Sequence, residues 1–296
     1  MMNRRSFLTT LTLAAGAAAL PAQNLHRSRK RDSDKDATTR YIFNQSMRQA
    51  RSEAWHTRPI GEIMGSLGML LVGTPYVGGT LEGEGPEVCR VDLTGLDCVT
   101  YFENTLCMAR IIQKQKFTYE DLIAEITRTR YKDGVLDGYA SRLHYTSAWI
   151  DDNVEKGTVL DVTSELGGVP FAPNVHFMTE HPEYYVPLKN DTLMVQRILV
   201  QEVLVNVRPR TYIPKDDIRA IEDRVQTGDI IAITTSKDGL DYAHTGLAYR
   251  DDKGVTRLLH ASTQKKKVTL DRSISEYVSS VKTHTGITVV RPRDAR

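Results

Sequence analysis

At 296 residues, with 40% hydrophobic and 26% charged side chains, the chain has room for one large domain or two small ones. No run of about 18 apolar residues occurs, so nothing in the sequence reads as a bilayer-spanning helix. The formal net charge of +2 equals the two arginines of residues 1–22, Arg4 and Arg5, a stretch without acid; the rest of the chain is balanced and gives no electrostatic reason to expect nucleic acid.

The chain opens on Asn3-Arg4-Arg5-Ser6-Phe7-Leu8 and an apolar stretch from Phe7 to Leu20, followed by Leu20-Pro21-Ala22. Paired arginines before a short apolar run and small residues read as a cleaved twin-arginine export signal over residues 1–22, which places the mature protein in the periplasm. The competing reading is a buried N-terminal helix. No Cys follows the signal, so lipid attachment is not expected there. Residues 23–40 carry Arg27, Arg29, Lys30, Arg31 and Lys35 with interleaved Asp and almost nothing apolar, the composition of a disordered charged linker. Residues 41–296 are then the folded domain.

Ile60, Ile63, Met64, Leu67, Leu70 and Leu71 fall at helical spacing after Pro59, and Gly73-Thr74-Pro75 ends that helix. Val99, Phe102, Leu106 and Ala109 predict a second helix beginning near Asp97. Thr118 caps a third, whose buried face is Leu122, Ile123 and Ile126. The last third changes character. Ile230 to Thr235, His244 to Arg250, Arg257 to Ser262, Lys267 to Leu270 and Ile287 to Val290 are short and rich in β-branched residues, and Asp251-Asp252-Lys253-Gly254 is a hairpin turn signal. Helices early and strands late predict an α+β fold with an antiparallel sheet.

Three cysteines, Cys89, Cys98 and Cys107, are an odd number for an exported protein, so at least one is a free thiol or has an intermolecular partner; a Cys89–Cys107 bridge would leave Cys98 over. Cys98 follows Gly95-Leu96-Asp97 and opens a predicted helix. Unpaired backbone N–H groups and the helix dipole at that position favour an anion, which predicts a more acidic thiol and a ready receptor for an oxyanion. A lone Cys is more often inert packing, and Cys107, between Leu106 and Met108, is read that way. A thiolate attacking an amide needs a base and later an acid. With Arg250 opposite Gly254 in the hairpin, His244 falls opposite His260. A two-residue shift keeps them diagonal on one face, and a one-residue shift separates them. His244 is then the base and His260 orients its ring; two unrelated histidines are the bland alternative. His144, His176 and His181 show no metal-ligand spacing, and no metal site is expected.

Four segments then fall into one order: Gly73-Thr-Pro-Tyr76-Val-Gly-Gly79, Leu96-Asp97-Cys98-Val-Thr-Tyr, Gly228-Asp-Ile-Ile-Ala-Ile with His244-Thr-Gly-Leu-Ala-Tyr, and Leu259-His260-Ala-Ser. This order resembles the NlpC-type papain-like cell-wall cysteine peptidases. The resemblance implies a papain-like α+β core with a helix-borne Cys98 packed on an antiparallel sheet, and a Cys98-His244-His260 thiol site with Tyr76 and Asp97 beside it as candidate substrate contacts. Family members commonly read Asp-Cys-Ser-Gly where this chain has Asp97-Cys98-Val99-Thr100, and the 146 residues from Cys98 to His244 exceed the separation in compact members. Arg142-Leu143-His144-Tyr145, continuing to Trp149, together with Ile274-Ser-Glu-Tyr-Val and Gly286 to Pro292, is similar to the N-acetylmuramoyl-L-alanine amidase-like branch. That branch implies cleavage between N-acetylmuramic acid and L-Ala in peptidoglycan fragments, anhydro-muropeptides in particular, with no cofactor. Arg142 is a candidate partner for a substrate carboxylate, His144 lies in the same signature, and Tyr145 and Trp149 are candidates to stack on a sugar. Core packing is the equal alternative for each. Three rival functions remain open: a γ-D-glutamyl-diaminopimelate endopeptidase of the same fold, a non-catalytic peptidoglycan-binding protein, and a zinc amidase.

Overall fold

The computed structural model describes residues 22–295, so the expected export signal lies outside the described residues but for Ala22. Helix α1 spans Ala22–Ser52. It runs through residues 23–40, where composition predicted a disordered linker. The charges described there are exposed, as the composition suggests, and some also support the helix: Arg40 Nε lies 3.0 Å from Asp36 Oδ2 one turn away, and Lys35 Nζ lies 3.7 Å from Asp92. The helix is anchored by Phe43, Met47 and Ala50, all buried, and by Thr39, whose buried hydroxyl accepts the Leu93 N–H at 3.1 Å.

Helix α2 (Ile60–Leu70) begins after Pro59 and buries Ile63, Met64 and Leu67, as the spacing predicts. It meets the sheet at backbone distance. A Cβ on Gly61 would lie 2.3 Å from the Thr227 carbonyl oxygen, and one on Gly228 would lie 2.3 Å from Gly61 Cα. Helix α3 (Cys98–Gln113) is almost wholly buried, and α4 (Tyr119–Arg130) packs beside it behind the predicted Thr118 cap. The two are joined by buried ion pairs, Arg130 to Glu103 at 2.6 Å and Arg110 to Glu125 at 2.6 Å. Both are held in place by further hydrogen bonds, the condition under which a buried pair is tolerated.

Beyond α4 lies the long insert: α5 (Thr146–Glu155), strands β1 (Val159–Asp161) and β2 (Val169–Phe171), α6 (Phe177–Glu180), α7 (Thr192–Val207) and β3 (Arg210–Pro214). It has a small core of its own, in which Tyr139, Tyr145, Val175, Met178, Ile198 and Val205 are buried together. The C-terminal third supplies β4 (Ile230–Thr235), β5 (Tyr242–Arg250), β6 (Thr256–Ser262), β7 (Lys267–Ser273), α8 (Ile274–Ser279) and β8 (His284–Pro292). All five predicted strands appear, most of them extended by one to three residues. The sheet runs β2-β3-β8-β4-β5-β6-β7, with β1 also on β8, and its pairings are antiparallel.

Strand alternation sorts the core into two faces. Ile230, Ala232, Leu247, Leu259, Ala261 and Val290 pack with the buried residues of α1, α2 and α3. Ile231, Ile233, Ala248, Leu258, Ile287 and Val289 pack with Ile274, Tyr277 and Val278 of α8. Among the described residues, no helix is long and apolar enough to cross a membrane.

Candidate active site

Asp97 caps α3. Its carboxylate accepts the Thr100 N–H and the Thr100 hydroxyl, both at 2.8 Å, while Thr100 Oγ1 accepts the Asp97 N–H at 2.9 Å. This reciprocal box sets Cys98 at the first helical position. It also accounts for Thr100, where the resemblance led to an expectation of Gly. Asp97, a candidate substrate contact, is committed to holding the helix start.

The Gly73–Val77 segment is laid across the same point. Leu96 N–H donates to the Pro75 carbonyl at 3.0 Å, Val77 N–H to the Leu96 carbonyl at 3.1 Å, and Tyr76 N–H to the Lys266 carbonyl at 2.9 Å. Tyr76 is thereby brought beside Cys98. Burial pushes its hydroxyl up to about 12, with the Cys98 and Asp97 charges acting the same way.

The thiol is not acidic. Burial pushes Cys98 up to about 11, and the Asp97 charge adds to that. Removal from water thus works against the acidity expected from the helix terminus. Thr245 works in the opposite direction. It lies beside the thiol with both side chain and backbone, and among the described residues its buried Oγ1 has no hydrogen-bond partner. The other two cysteines are free and apart. Cys107 is fully buried with its sulfur 3.2 Å from Thr129 Oγ1, and half-buried Cys89 has its sulfur 3.8 Å from the Ile123 carbonyl.

The hairpin closes one step later than the turn signal suggested. Arg250 pairs with Thr256, because Val255 joins the loop and its carbonyl accepts the Asp251 N–H at 3.0 Å. The register therefore shifts by two. His244 and His260 sit diagonally on one face, with His244 Nε2 2.6 Å from His260 Nδ1. Gly246 makes this approach possible, since a Cβ there would lie 2.9 Å from the His260 Cβ. Burial, then the neighbouring His260 and His284, push His244 down to about 3. Burial pushes His260 down to about 4, against the pull of Asp271. Both rings are neutral at neutral pH, so a single proton lies between them. Among the described residues, His244 Nδ1 has no hydrogen-bond partner.

Four residues that sequence reasoning missed complete the surroundings. Thr245 is one. Tyr277 of α8 sets its ring 4.8 Å from that of His260 and 6.0 Å from that of His244, and its hydroxyl is pushed up to about 12 by burial, Asp271 and Cys98. Buried His284 lies 5.9 Å from Tyr277. Asp271 of β7 places Oδ2 3.4 Å from His260 Nε2. Signals existed for two of them. Ser273-Ile-Ser-Glu276 is a capping box that announces the helix carrying Tyr277, and Asp271 follows His260 in the next strand, within diagonal reach.

The insert residues are placed elsewhere. Arg142 is buried against Glu82 at 2.6 Å and Glu87 at 3.6 Å, with its guanidinium 4.8 Å from the Tyr139 ring centroid. His144 Nε2 is 2.9 Å from the Tyr139 carbonyl, and burial and Arg142 push it down to about 3. Tyr145 is buried, donating to Glu202 at 2.7 Å and accepting the Met178 N–H at 2.9 Å. Trp149 is buried edge-on against Phe102 and donates to Glu103 at 3.1 Å. Tyr145 and Trp149 are therefore core residues, not sugar platforms: their faces are covered and their polar atoms satisfied. Among the described residues, no group of three or more His, Cys, Asp or Glu is arranged to hold a metal ion.

The chain is similar to several proteins of known structure. A Bacteroides uniformis structure described as an N-acetylmuramoyl-L-alanine amidase is 33% identical, with 79% of this chain and 99% of that chain covered and a TM-score of 0.75. A Bacteroides fragilis protein provisionally named a xylanase is 36% identical over 76% of this chain and 99% of its own, at a TM-score of 0.72. A Legionella pneumophila protein at 20% identity shares the fold, covering 89% of this chain and 99% of its own at a TM-score of 0.66. No curated protein matches. Residues 66–287, from the end of α2 to β8, match the family described as AmiA-like, and the chain belongs to this N-acetylmuramoyl-L-alanine amidase-like family.

Proposed function

We propose that the protein is an exported, cysteine-dependent amidase that hydrolyses the bond between N-acetylmuramic acid and L-Ala in peptidoglycan fragments, on a papain-like core. Family membership and the amidase described from Bacteroides uniformis support the bond class. The observation that carries the thiol mechanism is the 2.6 Å His244–His260 contact on the strand whose Thr245 lies against Cys98.

In this reading the thiol stays protonated until substrate is bound. His244 Nδ1 then takes its proton as the sulfur attacks the amide carbonyl. Asp97 has claimed the Thr100 N–H, so the N–H groups of Cys98 and Val99 remain for the oxyanion, with the Tyr76 hydroxyl alongside. His244 returns the proton to the departing L-Ala nitrogen. Water, deprotonated by the same ring, cleaves the thioester and frees Cys98. The steps call on no metal or organic cofactor. An export signal in residues 1–22 would deliver the enzyme to the periplasm, where this polymer lies.

The test is incubation of wild type and Cys98→Ala with an anhydro-muropeptide, followed by mass spectrometry. Wild type should release a stem peptide beginning with L-Ala, and Cys98→Ala should be slower by at least about a thousandfold. Loss of activity with a thiol alkylator, and its survival in EDTA, should accompany this. Release of a diaminopimelate-containing piece instead would assign the γ-D-glutamyl bond. Activity retained by Cys98→Ala would remove the thiol mechanism altogether.

A further inference from the structure

The two active-site histidines are followed by a third group on the next strand, outside the Cys-His-His set. Asp271 Oδ2 lies 3.4 Å from His260 Nε2 and 2.9 Å from Lys265 Nζ, while Asp271 Oδ1 accepts the Arg272 N–H at 2.8 Å. The carboxylate is nearly buried and fully engaged. Its neighbours hold it ionised: burial alone would raise it, but Lys265, the Arg272 N–H and His260 bring it down to about 2.

An ionised carboxylate only accepts hydrogen bonds, so the proton on His260 belongs on Nε2. His260 Nδ1 is then a lone pair, and at 2.6 Å it requires a proton from His244 Nε2. A neutral imidazole carries one N–H, so His244 Nδ1 is left as a bare acceptor. We infer that Asp271 is a positioning residue which, through His260, fixes the tautomer of His244 in the one form able to take a proton from the thiol. Tyr277, packed on both rings, keeps them from turning out of this order.

The inference rests on the thiol-amidase reading for its rate consequence, but the proton order can be read without substrate. In wild type, ¹⁵N–¹H correlation spectra of the imidazoles should show both histidines protonated at Nε2. In Asp271→Asn, Lys265 and the Arg272 N–H compete for the single amide oxygen, which turns the NH₂ toward His260. That reverses both tautomers and leaves His244 Nδ1 protonated. Turnover of the anhydro-muropeptide should then fall by about a hundredfold or more, as for other buried acids that set a histidine tautomer, with KM within about twofold. Thermal unfolding identifies a variant that has merely lost its fold, and the wild-type spectrum still decides the proton order in that case. A wild-type spectrum with His260 protonated at Nδ1, or a folded Asp271→Asn enzyme with kcat within about threefold of wild type, overturns the role of Asp271. Correct tautomers in a protein that leaves muropeptides uncut would instead overturn the amidase reading and leave the relay standing.

Discussion

Burial draws both Cys98 and His244 toward their uncharged forms in the resting protein. A thiol pushed up to about 11 and an imidazole pushed down to about 3 both favour their neutral forms near pH 7. Such a site differs from a preformed thiolate–imidazolium pair in a measurable way. Inactivation by iodoacetamide should be slow at pH 7 and climb toward pH 11 without a plateau between pH 5 and 8; a flat, fast rate across that range would show a resting ion pair. The position of Cys98 was legible in the sequence because Asp97 and the apolar spacing marked a helix start. Its acidity was not, because a helix start says nothing of how much protein closes over the sulfur. Likewise, alternation gave the common face of His244 and His260, while their separation depended on Val255 joining the hairpin loop, which turn composition alone left open.

Elements decide how firmly the site is held. Strand β5 offers Gly246 beneath His260, and a methyl group there would come within 2.9 Å of the His260 Cβ. Gly246→Ala should displace that ring and break the short His–His contact, lowering kcat by about tenfold or more, while stability falls by about 1–3 kcal/mol as for an overpacked core. A kcat equal to wild type would mean that the rings tolerate the shift. The insert was the least legible part of the chain. Trp149 and Tyr145 looked equally suited to a ligand or to a core, and what decided between them was distant in sequence: Glu103 and Phe102 receive Trp149, and Glu202 and the Met178 N–H receive Tyr145. Such partners lie 33–57 residues away and leave no local pattern. The same limit applied to α1, whose charges do face solvent but whose Thr39 and Lys35 are met by Leu93 and Asp92.

At the scale of the whole molecule, burying neutral histidines ties stability to pH. His144 and His244 are pushed down to about 3 and His260 to about 4, each from an ordinary 6.5. Below pH 6.5 the unfolded chain binds protons that the folded chain refuses. The stability these groups contribute is therefore whole above 6.5 and drains as pH falls toward 4. The Tm should be level from pH 8 to 7 and decline progressively from pH 6.5 to 4.5. His144→Gln, which keeps a donor for the Tyr139 carbonyl, should make that decline shallower. An unchanged Tm at pH 5, or an unchanged slope in the variant, would contradict this.

The backbone contact between Gly61 and Gly228 bears on this architecture as a whole. The sulfur rides on α3 and the imidazoles on the sheet, and α2 packs against both supports. At Gly61 the helix meets the turn before β4 main chain to main chain, while at Gly65 and Gly68 it meets side chains of Thr227, Tyr249 and Leu259. The seating of α2 on that turn is thus gauged by peptide dimensions, which do not drift with rotamers. Side chains around it can be exchanged without moving that contact, whereas a single added carbon on either glycine would jack the helix and the turn apart.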